Sequence, residues 1–166
     1  LDSTVLPKVS ILLPVRNEQS YIDRCLRSVL KQDYPNALME ILVADGNSTD
    51  ETLTIIESIS SDTDVPIIVV NNPQKIVPTG LNILIPITNG DVVIRIDGHC
   101  IIDHDYVTNC VRHLQEGEVD GVGGPMRTVG EDFISEVIAA AMSSKFGVGD
   151  SSFRTESGQT KLVDTV

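Results

Sequence analysis

The strongest constraint on the fold is a regular alternation of short apolar runs with segments of helical periodicity. Each apolar run is rich in Val, Ile and Leu, as in strands that are buried on both faces. The predicted strands are Val9–Val15, Met39–Ala44, Val65–Asn71 and Asp91–Ile96, followed by a glycine-rich fifth strand at Val119–Gly124. This alternation predicts an α/β fold with a mostly parallel sheet and helices on both faces.

Between these runs, apolar residues recur at the spacing of amphipathic helices. The predicted helices are residues 19–31, a segment that carries Leu53, Ile56 and Ile59, then Pro78–Thr88, Tyr106–Leu114 and Ile134–Met142. Ser48 and Glu51 have capping-box spacing, which predicts that the second helix starts there. Residues 143–160 are rich in Ser and Gly and are predicted to form a loop.

Polar clusters follow three of the predicted strands, at Arg16–Glu18, Asp45–Asn47 and Asp97–His99. An Asp-Gly pair after apolar residues is also a common turn signal, so one such cluster alone indicates little. The carboxyl ends of parallel strands meet at one edge of a sheet, where ligands of open α/β folds bind. Three clusters at that edge therefore favour a binding site. Within it, Asp97 and His99 are side chains that can ligate a metal ion.

Charge and cysteine content exclude several classes of protein. The net charge is -12 and the chain contains no Lys/Arg run, which argues against a nucleic-acid-binding surface. The three cysteines show no C-x-x-C spacing, so neither a disulfide framework nor a zinc site is expected, and a reducing compartment fits best. The chain begins at Leu1 rather than Met, and we expect one domain, residues 1–166, cut from a longer protein.

Two common nucleotide-binding signatures are missing from the first strand–helix turn. A dinucleotide fold places G-x-G-x-x-G there, whereas residues 14–18 contain no glycine, and no P-loop motif occurs. A Rossmann-type dehydrogenase is therefore a disfavoured alternative. The chain also lacks the G-x-S-x-G motif of α/β-hydrolases.

Several motifs in order resemble family 2 glycosyltransferases, and the resemblance covers nearly the whole chain. They are Val9–Glu18, Cys25–Val29, Gln32–Pro35, Glu40–Thr52, Asn82, Gly90 and Ile96–His99. Three further segments, Gly123–Met126, Phe146–Gly149 and Phe153–Arg154, resemble the bacterial succinoglycan and exopolysaccharide branch of that family.

The resemblance implies a GT-A fold that binds a nucleoside-diphosphate sugar, usually UDP-linked, together with a divalent cation, Mn²⁺ or Mg²⁺. It implies sugar transfer, with inversion, to a saccharide or lipid-linked acceptor in polysaccharide biosynthesis. The residues implied for the nucleotide-sugar site are Pro14, Val15, Asn17, Glu18, Asp45 and Asp97, with Asp45 at the base and Asp97 at the ribose or the metal-bound diphosphate. The implied metal ligands are Asp97 and His99.

His99 departs from the family pattern, which has a second aspartate at this position. Imidazole can ligate Mn²⁺ but suits Mg²⁺ poorly, so His99 is interpreted as a metal ligand, a neutral phosphate donor or a permitted substitute. The family's general base lies in a later acidic motif, which we expect beyond Val166. A nucleotide-binding module without transfer activity therefore stays open as an alternative. The resemblance implies a cytoplasmic location, at the inner membrane face if the parent protein is membrane-associated.

Overall fold

Four parallel strands form the centre of the structure, in the spatial order β3-β2-β1-β4. The computed structural model describes residues 5–117, 119–130 and 133–142. The strands are β1 (Val9–Val15), β2 (Met39–Asp45), β3 (Ile67–Asn71) and β4 (Val92–Arg95). In the register, Val15 pairs with Asp45 and Asp45 pairs with Asn71, so these strands end together at one edge. The predicted α/β fold with a parallel sheet is confirmed.

Five helices occur in the described ranges, and each corresponds to a predicted helix. They are α1 (Ile22–Leu30), α2 (Thr52–Ser61), α3 (Val77–Leu84), α4 (Tyr106–Glu116) and α5 (Phe133–Met142). The predicted helix Pro78–Thr88 is divided in two, because a 3₁₀ turn at Ile85–Ile87, which contains Pro86, follows α3. None of these helices combines the length and apolar composition needed to cross a bilayer.

The order of the strands decides which face each helix covers. The first two crossovers step from β1 to β2 and from β2 to β3, and the third returns across the sheet to β4. Right-handed crossovers therefore place α1 and α2 on one face and α3 on the other. In agreement, α1 packs against α2, and α3 packs against β1 and β2. A Cβ atom on Gly80 would lie 3.1 Å from that of Ala44, so this glycine permits the close approach of α3.

The hydrophobic core lies around β1 and β2, which explains why their sequences are the most uniformly apolar. All seven residues of β1 are buried, and in β2 only Glu40 is partly exposed. The edge strand β4 alternates between buried and exposed residues. One buried amide, Gln32, connects the end of α1 to the start of α4 by accepting a bond from the Val107 N–H and donating one to the Asp103 carbonyl.

The predicted capping box at Ser48 and Glu51 is wrong. Helix α2 begins three residues later than a Ser48 cap would require, and Glu51 makes no side-chain cap. The Ser48 hydroxyl instead accepts a hydrogen bond from the Asn17 N–H at 2.9 Å. The Asp50 carboxylate accepts the Thr52 N–H at 3.1 Å. The Ser48 side chain therefore bonds to Asn17 in the β1 loop instead of capping α2.

The predicted fifth strand at Val119–Gly124 is also wrong, because these residues form no regular element. Three of the six are glycines, which offer no side chain to pack on a sheet. The chain divides into two compact units, Leu1–Glu116 and Gly117–Val166, and this segment belongs to the second unit. The loop predicted for residues 143–160 lies outside the described ranges. The assignment of residues 1–166 to one domain stays a prediction.

Candidate functional site

The loops after β1, β2 and β4 lie at the carboxyl edge of the sheet, as the polar clusters predicted. Two of these loops turn through a residue with a left-handed backbone, Asn17 and Asn47, each with φ of 54°. Asparagine tolerates this conformation better than most residues, because its side chain can bond locally. The conformation therefore reverses the chain sharply at the ends of β1 and β2.

Hydrogen bonds join the β1 and β2 loops into one surface. The Asn17 side-chain oxygen accepts the Thr49 N–H at 2.8 Å, and the Glu18 N–H donates to the Thr52 hydroxyl at 2.8 Å. Gln19 and Glu51 are also linked, with the Glu51 N–H donating to the Gln19 side chain at 3.1 Å. Asn17, predicted to contact the ligand, thus has a structural role in holding these loops together.

Asp45, at the end of β2, is almost completely buried, with 5% of its surface exposed. Its two carboxylate oxygens accept the Ser48 N–H at 3.1 and 3.3 Å. The next N–H, that of Gly46, donates to the Val15 carbonyl at 2.8 Å. The carboxylate therefore stabilises the β2 loop, and the contact with a base that the resemblance implies stays a prediction.

A cleft of about 220 Å³ opens between the β1 and β4 loops and the loop before α3. It brings together five of the seven residues predicted for the site: Pro14, Val15, Glu18, Asp97 and His99. The two predicted residues that do not line it are Asn17 and Asp45, which hold the loops beside it.

The wall of the cleft formed by the β4 loop depends on a tight fit at Gly98. A Cβ atom here would lie 3.0 Å from Val15 Cγ1 and 3.1 Å from Glu18 Cγ. The close approach brings the Glu18 carboxylate within 3.0 Å of His99 Nδ1. Glu18 is mostly buried, with 19% of its side chain exposed, whereas 57% of the His99 side chain is exposed. Glu18 therefore holds the imidazole through Nδ1, while much of the ring is exposed at the cleft.

Asp97 is partly neutralised by its neighbour two residues earlier. Arg95 donates two hydrogen bonds to Asp97 Oδ1, from Nε at 3.1 Å and from a terminal nitrogen at 2.8 Å. The pair is exposed, since 52% of the Arg95 side chain is accessible, so water and salt screen the interaction. The other oxygen, Oδ2, has no partner among the described residues.

Three side chains of the β4 loop could together hold a metal ion. Ligand atoms of Asp97, His99 and Cys100 all lie within 4.8 Å of one another. Burial raises the pKa of the Cys100 thiol, and the charge of Asp97 raises it further. Cys100 was not among the residues predicted for the site. Carboxylate, imidazole and thiol donors fit Mn²⁺ or a softer divalent cation better than Mg²⁺, which prefers oxygen ligands.

Two basic residues, Arg16 and Lys75, line the cleft but were not among the seven residues predicted for the site, although Arg16 belongs to the Arg16–Glu18 cluster. Arg16 and Lys75 are exposed, and neither forms a hydrogen bond or ion pair through its side chain with another described residue. Lys75 has φ of 62°, and its N–H donates to the Asn72 carbonyl at 3.1 Å. The sequence signal for these two residues was one basic residue in each of two strand–helix loops. Basic residues are too common in such loops to be selected as site residues on that ground. In a chain with a net charge of -12, they are local positive charges suited to an anionic ligand.

Comparison with known proteins agrees with this architecture. The model of a protein family described as glycosyl transferase family 2 matches residues 10–155, which is most of the chain. The chain belongs to glycosyl transferase family 2. The predicted family and its GT-A fold are confirmed.

Two curated relatives are glycosyltransferases of archaea. The chain is 30% identical over 156 residues to a Methanococcus voltae dolichyl N-acetyl-α-D-glucosaminyl phosphate diacetamidodideoxyglucuronosyltransferase, covering 90% of this chain and 49% of that protein. It is 32% identical over 122 residues to the glycosyltransferase AglE of Haloferax volcanii, covering 74% of this chain and 40% of AglE. The chain thus spans half or less of these relatives. The narrower resemblance to the succinoglycan type stays a prediction.

Solved structures of two other glycosyltransferases share the fold. A fragment of Staphylococcus aureus TarS in complex with UDP-GlcNAc superimposes with a TM-score of 0.60 at 25% identity, covering 75% of this chain and 38% of that one. A mannosyltransferase from Pyrobaculum calidifontis, with GDP-Man and Mn²⁺, gives a TM-score of 0.66 at 24% identity, covering 84% of this chain and 41% of that one.

Proposed function

We propose that this family 2 chain binds a nucleoside-diphosphate sugar, UDP-linked, and forms the donor side of a glycosyltransferase. The observation that carries the proposal is the cleft at the carboxyl edge, which Asp97 and His99 line together with two basic residues from two other loops, Arg16 and Lys75. Support also comes from the structure of a TarS fragment in complex with UDP-GlcNAc.

Each side of the cleft suits a different part of such a ligand. Pro14 and Val15 form an apolar surface for the nucleoside, and Glu18 lies beside them. Arg16 and Lys75 supply local positive charge for the phosphates in a chain whose net charge is -12. Asp45 and Asn17 keep the adjoining loops in place through the Ser48 and Thr49 amides. If Asp45 contacts the base, it does so with a carboxylate that already accepts a hydrogen bond from the Ser48 N–H.

A divalent cation would be held by Asp97 and His99, with Mn²⁺ favoured over Mg²⁺ because one donor is an imidazole nitrogen. When bound, such a cation supplies positive charge that stabilises a leaving diphosphate. Arg95 lies beside Asp97 and adds a further positive charge at this wall of the cleft. The chain's own residues thus bind and orient the donor.

We further propose that transfer proceeds with inversion to a saccharide or lipid-linked acceptor. The dolichyl-phosphate acceptor in the name of the Methanococcus voltae relative supports a lipid-linked substrate, and an exopolysaccharide acceptor stays within the proposal. A general base would activate the acceptor hydroxyl. A cytoplasmic site of action, at the membrane face, belongs to the same proposal.

Isothermal titration calorimetry of residues 1–166 tests the donor assignment. We expect UDP to bind with Mn²⁺ present and more weakly in EDTA, GDP to bind less tightly, and NAD not to bind. Asp97→Ala should remove the Mn²⁺-dependent part of the UDP affinity. Asp64→Ala is a matched control, because Asp64 is exposed in the loop that leads into β3, at the other edge of the sheet. Tight NAD binding without UDP binding would overturn the proposal.

A further inference from the structure

The β4 loop contains one more potential ligand than the resemblance implied. Ligand atoms of Asp97, His99 and Cys100 lie within 4.8 Å of one another. Metal–ligand bonds of about 2.0–2.3 Å mean that two donors to one cation lie at most about 4.6 Å apart. Three donors spaced evenly around one ion lie about 4.0 Å apart at the longer bond length. Movements of up to about 1 Å, within the range of side-chain rotation, therefore bring all three donors to a common ion.

The backbone of this loop brings the three side chains together. The Cys100 N–H donates to the Asp97 carbonyl at 2.9 Å, which closes a four-residue turn. The Cys25 thiol, buried on α1 beneath the turn, also donates to the Asp97 carbonyl, at 3.6 Å. Gly98 is packed against Val15 and Glu18 on the other side. The positions of the three donors are thus set by the turn before any ligand binds.

Glu18 prepares the imidazole for ligation. Its carboxylate accepts the hydrogen of His99 Nδ1 at 3.0 Å, the arrangement found behind many metal-binding histidines. With the proton on Nδ1, the lone pair is on Nε2, which has no hydrogen-bond partner among the described residues. Glu18 is therefore a positioning residue for His99.

We propose that Cys100 is the third ligand of the cation, so that Asp97, His99 and Cys100 form a mixed oxygen, nitrogen and sulfur site. This deepens the proposed function, because it concerns the cation expected beside the donor diphosphate. Thiolate and imidazole donors select zinc-like, borderline-soft cations, and a carboxylate accepts them as well. The site therefore prefers Zn²⁺, Co²⁺ and Mn²⁺, and discriminates strongly against Mg²⁺.

Cobalt substitution tests sulfur ligation directly, without relying on enzymatic activity. Co²⁺ bound to a thiolate gives a sulfur-to-metal charge-transfer band in the near ultraviolet, which oxygen and nitrogen ligands do not give. We expect the band in the parent chain and in Cys110→Ala, where the cysteine is buried on α4 away from this turn. Cys100→Ser should lose the band and bind Zn²⁺ at least about tenfold more weakly.

Two further variants make the result specific. Cys100→Asp keeps three donors but replaces sulfur with oxygen, so we expect the preference to shift from Zn²⁺ towards Mn²⁺ and Mg²⁺. Glu18→Gln should weaken Zn²⁺ binding while retaining the cobalt band, since Cys100 is still present. Circular dichroism of every variant checks that the fold is kept.

The outcomes also separate this inference from the proposed function. If Co²⁺ binds without a charge-transfer band and Cys100→Ser leaves Zn²⁺ affinity unchanged, Cys100 is not a ligand. UDP binding that still depends on Mn²⁺ and on Asp97 would then leave the donor proposal intact. The reverse result, a cobalt–thiolate band with no UDP binding, would support the cation site and remove the donor proposal.

Discussion

The two edges of the sheet both carry a carboxylate network and an open cleft, but they use their polar groups differently. At the amino edge, both oxygens of Glu40 accept hydrogen bonds, from the Ser10 hydroxyl and from the main chain and side chain of Asn89. The Gly90 N–H completes the network by donating to the Ser10 hydroxyl at 2.8 Å. Each of these groups already has a partner within the protein.

At the carboxyl edge, by contrast, several charged groups have no partner among the described residues. Asp97 Oδ2 and the side chains of Arg16 and Lys75 make no hydrogen bond with another described residue, although all three residues line the cleft. The amino-edge cleft is the larger, at about 260 Å³ against about 220 Å³. The candidate site therefore differs from the amino edge in having charged groups that bond to no other described residue, and not in having a larger cleft.

The sharpest way to test this comparison is to add one methyl group at each edge. In Gly90→Ala, the new Cβ would lie 2.5 Å from the Ser10 backbone nitrogen, which cannot move without disturbing β1. We expect a loss of about 3 kcal/mol or more in the free energy of unfolding, measured with urea. UDP affinity of the folded fraction should stay the same. A variant as stable as the parent would contradict the packing described here.

The same substitution at the carboxyl edge should affect binding more than stability. In Gly98→Ala, the Cβ would press on Val15 Cγ1 and Glu18 Cγ, and the Glu18 side chain can move away. That movement breaks the bond to His99, so we expect about a tenfold loss of Mn²⁺-dependent UDP affinity by calorimetry. The unfolding free energy should fall by less than about 1 kcal/mol. Unchanged affinity would show that the Glu18–His99 contact is not needed.

A smaller effect is expected from the charge of Glu40. Burial raises its pKa, but hydrogen bonds from Ser10 and Asn89 and the charge of Lys8 together lower it below the ordinary value of 4.5. The resulting stabilisation is complete above that value and is lost as the pH falls through the lower folded pKa. Glu40→Gln should therefore cost about 1 kcal/mol at pH 7 and progressively less in acid.

Urea unfolding of the parent chain and Glu40→Gln between pH 7 and pH 3 measures this difference. Glu57→Gln is the control, because Glu57 is exposed on α2 and outside the network. A difference between Glu40→Gln and the parent that does not narrow in acid would mean that the ionised carboxylate is not what stabilises this edge.

The smallest effect concerns the Arg95–Asp97 pair. A cation must compete with the guanidinium for Asp97, but the pair is exposed and therefore weak. We expect Arg95→Gln to raise the affinity for Mn²⁺ alone by about two- to threefold. Arg27→Gln, which removes a similar exposed pair with Asp23 on α1, should change nothing. Weaker Mn²⁺ binding in Arg95→Gln would instead indicate that Arg95 orients Asp97 for the cation.

Local sequence pattern was sufficient to predict the strands and helices of the core and part of the candidate site. Val9–Val15 was predicted with the bounds that β1 has, because a strand buried on both faces needs apolar residues throughout. Asp97 and His99 were found because parallel strands place their loops on one edge. These predictions depend on hydrophobic periodicity and on the order of strands and helices along the chain, and both can be read from the sequence.

Tertiary structure decided which polar groups are used internally and which remain available. Asn17 bonds across 31 residues to the Ser48 hydroxyl, so no local pattern could show that the predicted capping box is replaced. Cys100 reaches Asp97 and His99 only because a turn, packed on Cys25 and Glu18, gathers them. The sequence by itself determined the family, the parallel sheet and the edge that carries the site. Long-range packing determined which side chains are available to a ligand in the cleft, because hydrogen-bond partners distant in sequence leave no periodic signal.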